Sequence, residues 1–116
     1  MATGRQQVAG SRDVAVAVND TLSIGGDLAE PVGRNSNLTV TANQTQTVEK
    51  NLTIRANKQP RIIAAASLEL VCGDASIVLK EDGSITIKGS GKVNVKASGD
   101  VVIKGSKVLQ NWAHRH

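Results

Sequence analysis

Hydrophobic and polar positions along this chain recur every eight residues. From Ser76 to Gly105 the units in register read SIVLKEDG, SITIKGSG, KVNVKASG and DVVIKG. Each carries an apolar pair at alternate positions (Ile77/Leu79, Ile85/Ile87, Val93/Val95, Val101/Ile103), then a lysine (Lys80, Lys88, Lys96, Lys104). Gly83, Gly91 and Gly99 close the first three units. Apolar residues two apart lie on one face of a strand, so each octad predicts a short strand followed by a glycine-closed corner. A fixed period of this kind marks a repeat architecture in which every unit lies against the next.

A second array precedes it in the chain. Val16, Ile24, Val32, Val40 and Val48 recur in perfect register, each followed three residues later by Asn19, Asp27, Asn35, Asn43 or Asn51. The apolar position two residues earlier is looser: Val14, Leu22 and Leu38 fill it in three units, Glu30 and Gln46 in the other two. These two polar residues either turn outward or hydrogen-bond across the axis. The Asn/Asp column predicts corners, because these residues accept left-handed backbone and bond their own main chain. Gly25, Gly26 and Gly33 supply the same freedom. At Leu52/Ile54 the spacing falls to six, and residues 55–67 break the pattern; Pro60 cannot donate to a ladder. Leu68, Leu70 and Cys72 then lead into the later array. Cys72 continues the alternation and reads as a small core residue near a three-fold axis. The predicted organisation is a flexible lead-in over 1–12, a first array over 13–54, a seam over 55–75, a second array over 76–111 and a tip over 112–116.

Eight residues are too few to enclose a core. At roughly 3.3 Å per residue an octad spans about 26 Å of extended chain, whereas a self-contained solenoid coil runs through three strands and three corners. Three chains solve the problem if each supplies one side of a triangular prism and the apolar pairs of all three face the axis. The predicted fold is therefore all-β: an intertwined triple-stranded β-helix, a homotrimeric prism built from octapeptide repeats. Composition agrees, since the 116 residues contain no Phe, no Tyr and one Trp. A globular core of this length normally uses several aromatics; a narrow prism has room only for branched aliphatics.

Charge and cysteine content narrow the function classes. The net charge of +4 is spread along the repeat and lacks interleaved aromatics, which argues against nucleic-acid binding. The N-terminus contains no apolar run of signal-peptide type, so the Asn-x-Thr triplets at Asn19, Asn37, Asn43 and Asn51 are not read as glycosylation sites. One cysteine fits synthesis in a reducing cytosol. An enzyme is not expected: the two histidines sit at the extreme C-terminus, no Gly-rich phosphate loop precedes a helix, and the Glu81/Asp82 pair belongs to a corner.

The first array (NDTLSIGGD, EPVGRN, SNLTVTAN, NLTI) resembles the valine-glycine repeats of VgrG spike proteins of the type VI secretion system. It is also similar to the C-terminal needle of central spike proteins in contractile phage tails. The second array (SLELVCGDASIVLKEDGSITIKGSGKVNVKASGDVVIKG) resembles the segment that ends many VgrG chains. The resemblance covers roughly residues 13 to 111. It implies a trimeric needle that punctures a target envelope when a sheath contracts, cytoplasmic before firing, with a tip protein or effector as further partner. The resemblance does not extend to the hub and oligonucleotide-binding domains of that family, so on this reading the stretch corresponds to an isolated needle. Alternatives from the residues alone are a trimeric stalk carrying a binding domain, or a monomeric repeat protein binding ice or calcium.

The final residues NWAHRH leave the repeat. His114 and His116 lie two apart, so on a strand they face one way, and three chains would gather six imidazoles. Six nitrogen ligands suit an octahedral transition metal, Fe(II) first, with Ni(II) and Zn(II) as alternatives. Some phage spike tips resemble this, with a His-x-His strand holding one iron on the axis. The competing reading is a terminal tail without an ion. Trp112 reads as a cap over the prism end, and the lysine column as an outward, solubilising stripe.

Overall fold

The computed structural model describes residues 7–111. The chain divides into two units, Met1–Glu49 and Lys50–His116. It is all-β, with no helix among the described residues.

In the first unit the backbone bends at 9–10, 17–18, 25–26, 33–34 and 41–42, a strict interval of eight. Each bend follows directly after an aliphatic residue: Val8, Val16, Ile24, Val32 or Val40. The Asn/Asp column begins the next segment, one residue past the bend, so it does not form the corner itself. Among the described residues no non-glycine residue has a positive φ, and neither do Gly25, Gly26 or Gly33. The corners are thus made with ordinary right-handed backbone, and the left-handed freedom expected of these residues is not used there. The repeat also shows in exposure. The column from Val8 to Val48 is 42–55 % exposed, whereas Val14, Leu22 and Leu38, two residues earlier in their units, are 65–73 % exposed.

The second unit continues the interval, with bends at 57–58 and 65–66 following one at 49–50. The eight-residue period therefore runs through the stretch read from sequence as a seam. Ile54/Ala56 and Ile62/Ala64 occupy the two apolar positions, and alanine at the second position had hidden the register. Pro60 lies within the six-residue segment between bends, which makes no backbone–backbone hydrogen bond within the chain.

After Ala66 the chain changes character. Three strands, β1 (Ser67–Cys72), β2 (Ala75–Lys80) and β3 (Ile85–Lys88), form an antiparallel meander in the order β1-β2-β3. Gly73 and Asp74 connect β1 to β2; Gly73 has φ +57° and Asp74 is not in the positive region, the signature of a type II′ hairpin turn. Between β2 and β3 the N–H of Gly83 donates to the Lys80 carbonyl (3.1 Å) and the N–H of Lys80 to the Ser84 carbonyl (3.0 Å). With Gly83 at φ +92° this is a three-residue hairpin loop closed by a glycine bulge. The octads SIVLKEDG and SITIKGSG are therefore antiparallel neighbours within one chain, not successive turns of an intertwined coil. Beyond Lys88 the backbone bends at 90–91, 98–99 and 105–106 without further strands among the described residues.

No described residue is buried, and the chain exposes 13017 Å². A folded monomer of 12.1 kDa exposes about 6,000 Å². The described residues form ordered bends and turns but no core within the single chain.

Candidate functional site

The feature that stands out chemically is a surface. Pairing in the meander aligns Leu68 with Leu79 and Leu79 with Ile85, and aligns Leu70 with Ile77 and Ile77 with Ile87. Paired residues share a face of a sheet. These two rows, together with the Cys72–Ala75 pair beside the hairpin turn, make one face of the meander aliphatic from end to end. The other face carries the aligned sets Ser67–Lys80, Glu69–Val78–Thr86 and Val71–Ser76–Lys88. This alternation is what the sequence predicts for the apolar pairs and for the outward lysines Lys80 and Lys88. What it did not reveal is that β1 to β3 bring three such pairs together in one chain.

The apolar face continues a little past the sheet. Val93 lies against Gly89, where an added Cβ would stand 3.3 Å from a Val93 methyl. Gly89 is accordingly half-buried, one of four described residues that are not fully exposed, with Leu68, Ser76 and Val78. An open groove formed by Leu70, Cys72, Ile77, Ile87 and Val93, and lined also by Lys88 and Lys92, joins the two elements. Cys72 itself, expected in a core, is a free and exposed thiol in the chain.

Among the described residues, the turn holds the one carboxylate with a distinct environment. Asp82 Oδ1 accepts a hydrogen bond from the Ser84 N–H at 2.9 Å. That backbone bond, with a contribution from the Ser84 side chain, holds the Asp82 carboxyl below its ordinary value of 3.8. Asp82 thereby shapes the β2–β3 loop, in keeping with the reading of Glu81/Asp82 as a corner pair.

Among the described residues no group of three or more His, Cys, Asp or Glu side chains is placed to hold a metal ion. His114 and His116, the predicted metal ligands, and Trp112, the predicted cap, lie outside the described residues. No helix of the described residues is long and apolar enough to cross a membrane. No family model and no curated protein matches the chain.

Proposed function

We propose that this chain is one third of a trimeric β-helical needle that pierces a target envelope as part of a contractile injection machine of the type VI secretion or phage-tail kind. The observation that carries this reading is the contrast between a strictly periodic backbone and the absence of any buried side chain among the described residues. Bends repeat every eight residues from 9–10 to 65–66, and the aliphatic column from Val8 to Val48 keeps a similar partial exposure, 42–55 %, at each of its six positions. Such order needs a shared interior. The surplus of about 7,000 Å² over a folded monomer of this mass is several times the roughly 800 Å² that each partner contributes to a standard interface.

Outside Ala66–Lys88 no backbone–backbone hydrogen bond forms among the described residues. Once segments of this kind are packed into a dry interior, their N–H and C=O groups require partners, and adjacent chains supply them. Chains wound together in this way load many hydrogen bonds at once under axial force and offer no loose edge from which unfolding starts. Stiffness with a narrow section is what penetration requires. The lysines stand on the opposite side from the apolar pairs, as Lys80 and Lys88 do in the meander, and keep the exterior soluble.

The tip extends the proposal: the His114 and His116 imidazoles of three chains would hold one octahedral metal ion, Fe(II) first, and fasten the three C-termini together. Mounting the assembled protein on a force-microscope cantilever and indenting a supported bilayer tests the mechanical role. We expect a lower rupture force than for the bare tip, and equal forces would refute puncture.

A further inference from the structure

We propose that the β1–β3 meander is the element that sets the register of the assembly: its aliphatic face docks against the same face of two further copies of this chain, and the flanking octads zip up from that clamp. The inference rests on the trimeric reading above and adds to it which surface starts association and why the chains align.

Two structural facts separate the meander from the rest of the chain. Every backbone–backbone hydrogen bond among the described residues lies between Ala66 and Lys88. This stretch therefore forms its ladder within one chain, through a two-residue turn and a three-residue loop, the kind of local closure that completes in microseconds. The octads before and after it have no intrachain ladder, and in a trimer their pairing waits for other chains. The second fact is that the meander's sheet leaves its apolar face uncovered. Ile77, Leu79, Ile85 and Ile87 are 38 %, 39 %, 67 % and 64 % exposed although they sit in regular, paired strands.

The cover for this face is best supplied by identical faces. Within the chain nothing covers it, because no described residue is buried. Its two cross-strand rows contain no charge and no hydrogen-bonding side chain, so three copies can bury them without leaving a polar group unsatisfied, while Lys88 and Lys92 line the adjoining groove. The charged residues of the three strands, Glu69, Lys80 and Lys88, pair on the far side, and Asp74, Glu81 and Asp82 sit in the two turns at the ends of the sheet.

Register is the reason such a clamp is needed. The columns Val16, Ile24, Val32, Val40 and Val48 are near-equivalent, so a slip of one octad between chains exchanges one aliphatic contact for another and loses only an end unit. The meander occurs once per chain. Docking it against its own copies admits a single alignment, and every octad on either side then falls into place.

Sedimentation velocity on the full chain, compared with an Ile77→Asp/Ile87→Asp chain and a Val40→Asp chain, tests the inference. We expect the wild type and Val40→Asp to give one sharp trimer boundary, the latter with a lower Tm, and the meander variant to give monomer or a heterogeneous series. A meander variant that remains a sharp trimer overturns the inference while leaving the trimer standing; so does a Val40→Asp chain that dissociates as completely as the meander variant. A wild type that is monomeric overturns both, and flotation of that monomer with phosphatidylcholine vesicles would assign the face to a membrane. A second measurement needs no variant: Cys72 lies on the docking face, so dithionitrobenzoate should modify it at least tenfold more slowly in the assembled wild type than after dissociation in urea. Reaction at the free-thiol rate in the assembly would show the face open to water and overturn the inference.

Discussion

Ile77 stands directly across β2–β3 from Ile87, and it is the middle of an aliphatic row completed by Leu70 on β1. Both isoleucines remain substantially exposed in the isolated chain. If the row is closed by neighbouring copies, truncating it removes contacts made between chains. Ile77→Ala is therefore expected to destabilise the assembly by about 2–5 kcal/mol per chain, the usual cost of a buried Ile-to-Ala change. In a chain whose face stays in water the change would be within about 0.5 kcal/mol. Denaturant titration distinguishes the two.

The hairpin glycine separates sequence repetition from structural repetition. Gly83, Gly91 and Gly99 hold equivalent places in their octads, yet only Gly83 has a positive φ. An added Cβ meets nothing within 4 Å at any of the three, so backbone conformation alone decides the outcome. Gly83→Ala should cost about 1–2 kcal/mol, while Gly91→Ala and Gly99→Ala should be close to neutral or slightly stabilising. Equal losses at all three positions, measured by thermal melting, would contradict the hairpin.

These glycines also show how far the residues themselves could be read. Alternation at Ile77/Leu79 and Ile85/Ile87 correctly placed each pair on one face, since side-chain direction in a strand has period two whatever the partner. Partner identity is another matter: parallel winding between chains and antiparallel folding within one chain use the same alternation. Two local signals for the hairpins were present, Gly73-Asp74 between two alternating runs and the Glu81-Asp82-Gly83 loop, and both are turn chemistry that an octad reading absorbs as ordinary corners. The period across residues 55–67 was masked because Ala56 and Ala64 stand where valine had marked the column. The corner residues were misplaced because Asn and Asp permit left-handed backbone without requiring it, and here they follow bends that need none.

Ala56 and Ala64 provide a test of that extended register. On the trimeric reading both sit in the same column as Val40, and Ala64→Asp places a carboxylate in a closed interior. A loss of about 10 °C or more in Tm is expected. Lys58→Asp, at a bend, should leave Tm nearly unchanged. Comparable losses for both substitutions would argue that the period does not continue through this stretch.

Acid sensitivity follows from Asp82. Its carboxyl is held below 3.8 by the Ser84 N–H, so the folded state binds this proton less readily than the unfolded state. The stabilisation is present above pH 3.8 and is lost as pH falls through the lowered value. Asp82→Asn retains an oxygen acceptor but does not titrate. Melting curves between pH 2 and pH 6 should show the wild type falling more steeply than Asp82→Asn below pH 3.8; superimposable profiles would mean that the turn carboxylate contributes nothing.

The proposed tip is open to elemental analysis. Purified protein is expected to contain one iron per three chains, and His114→Ala/His116→Ala should remove it while the trimer persists. Iron content unaffected by the double substitution would refute a six-imidazole site.

Native mass spectrometry of the unmodified chain bears most directly on the central claim, that the interior exists only between chains. The account predicts one species at three times 12.1 kDa, about 36 kDa; a stable, folded 12.1 kDa monomer would contradict it.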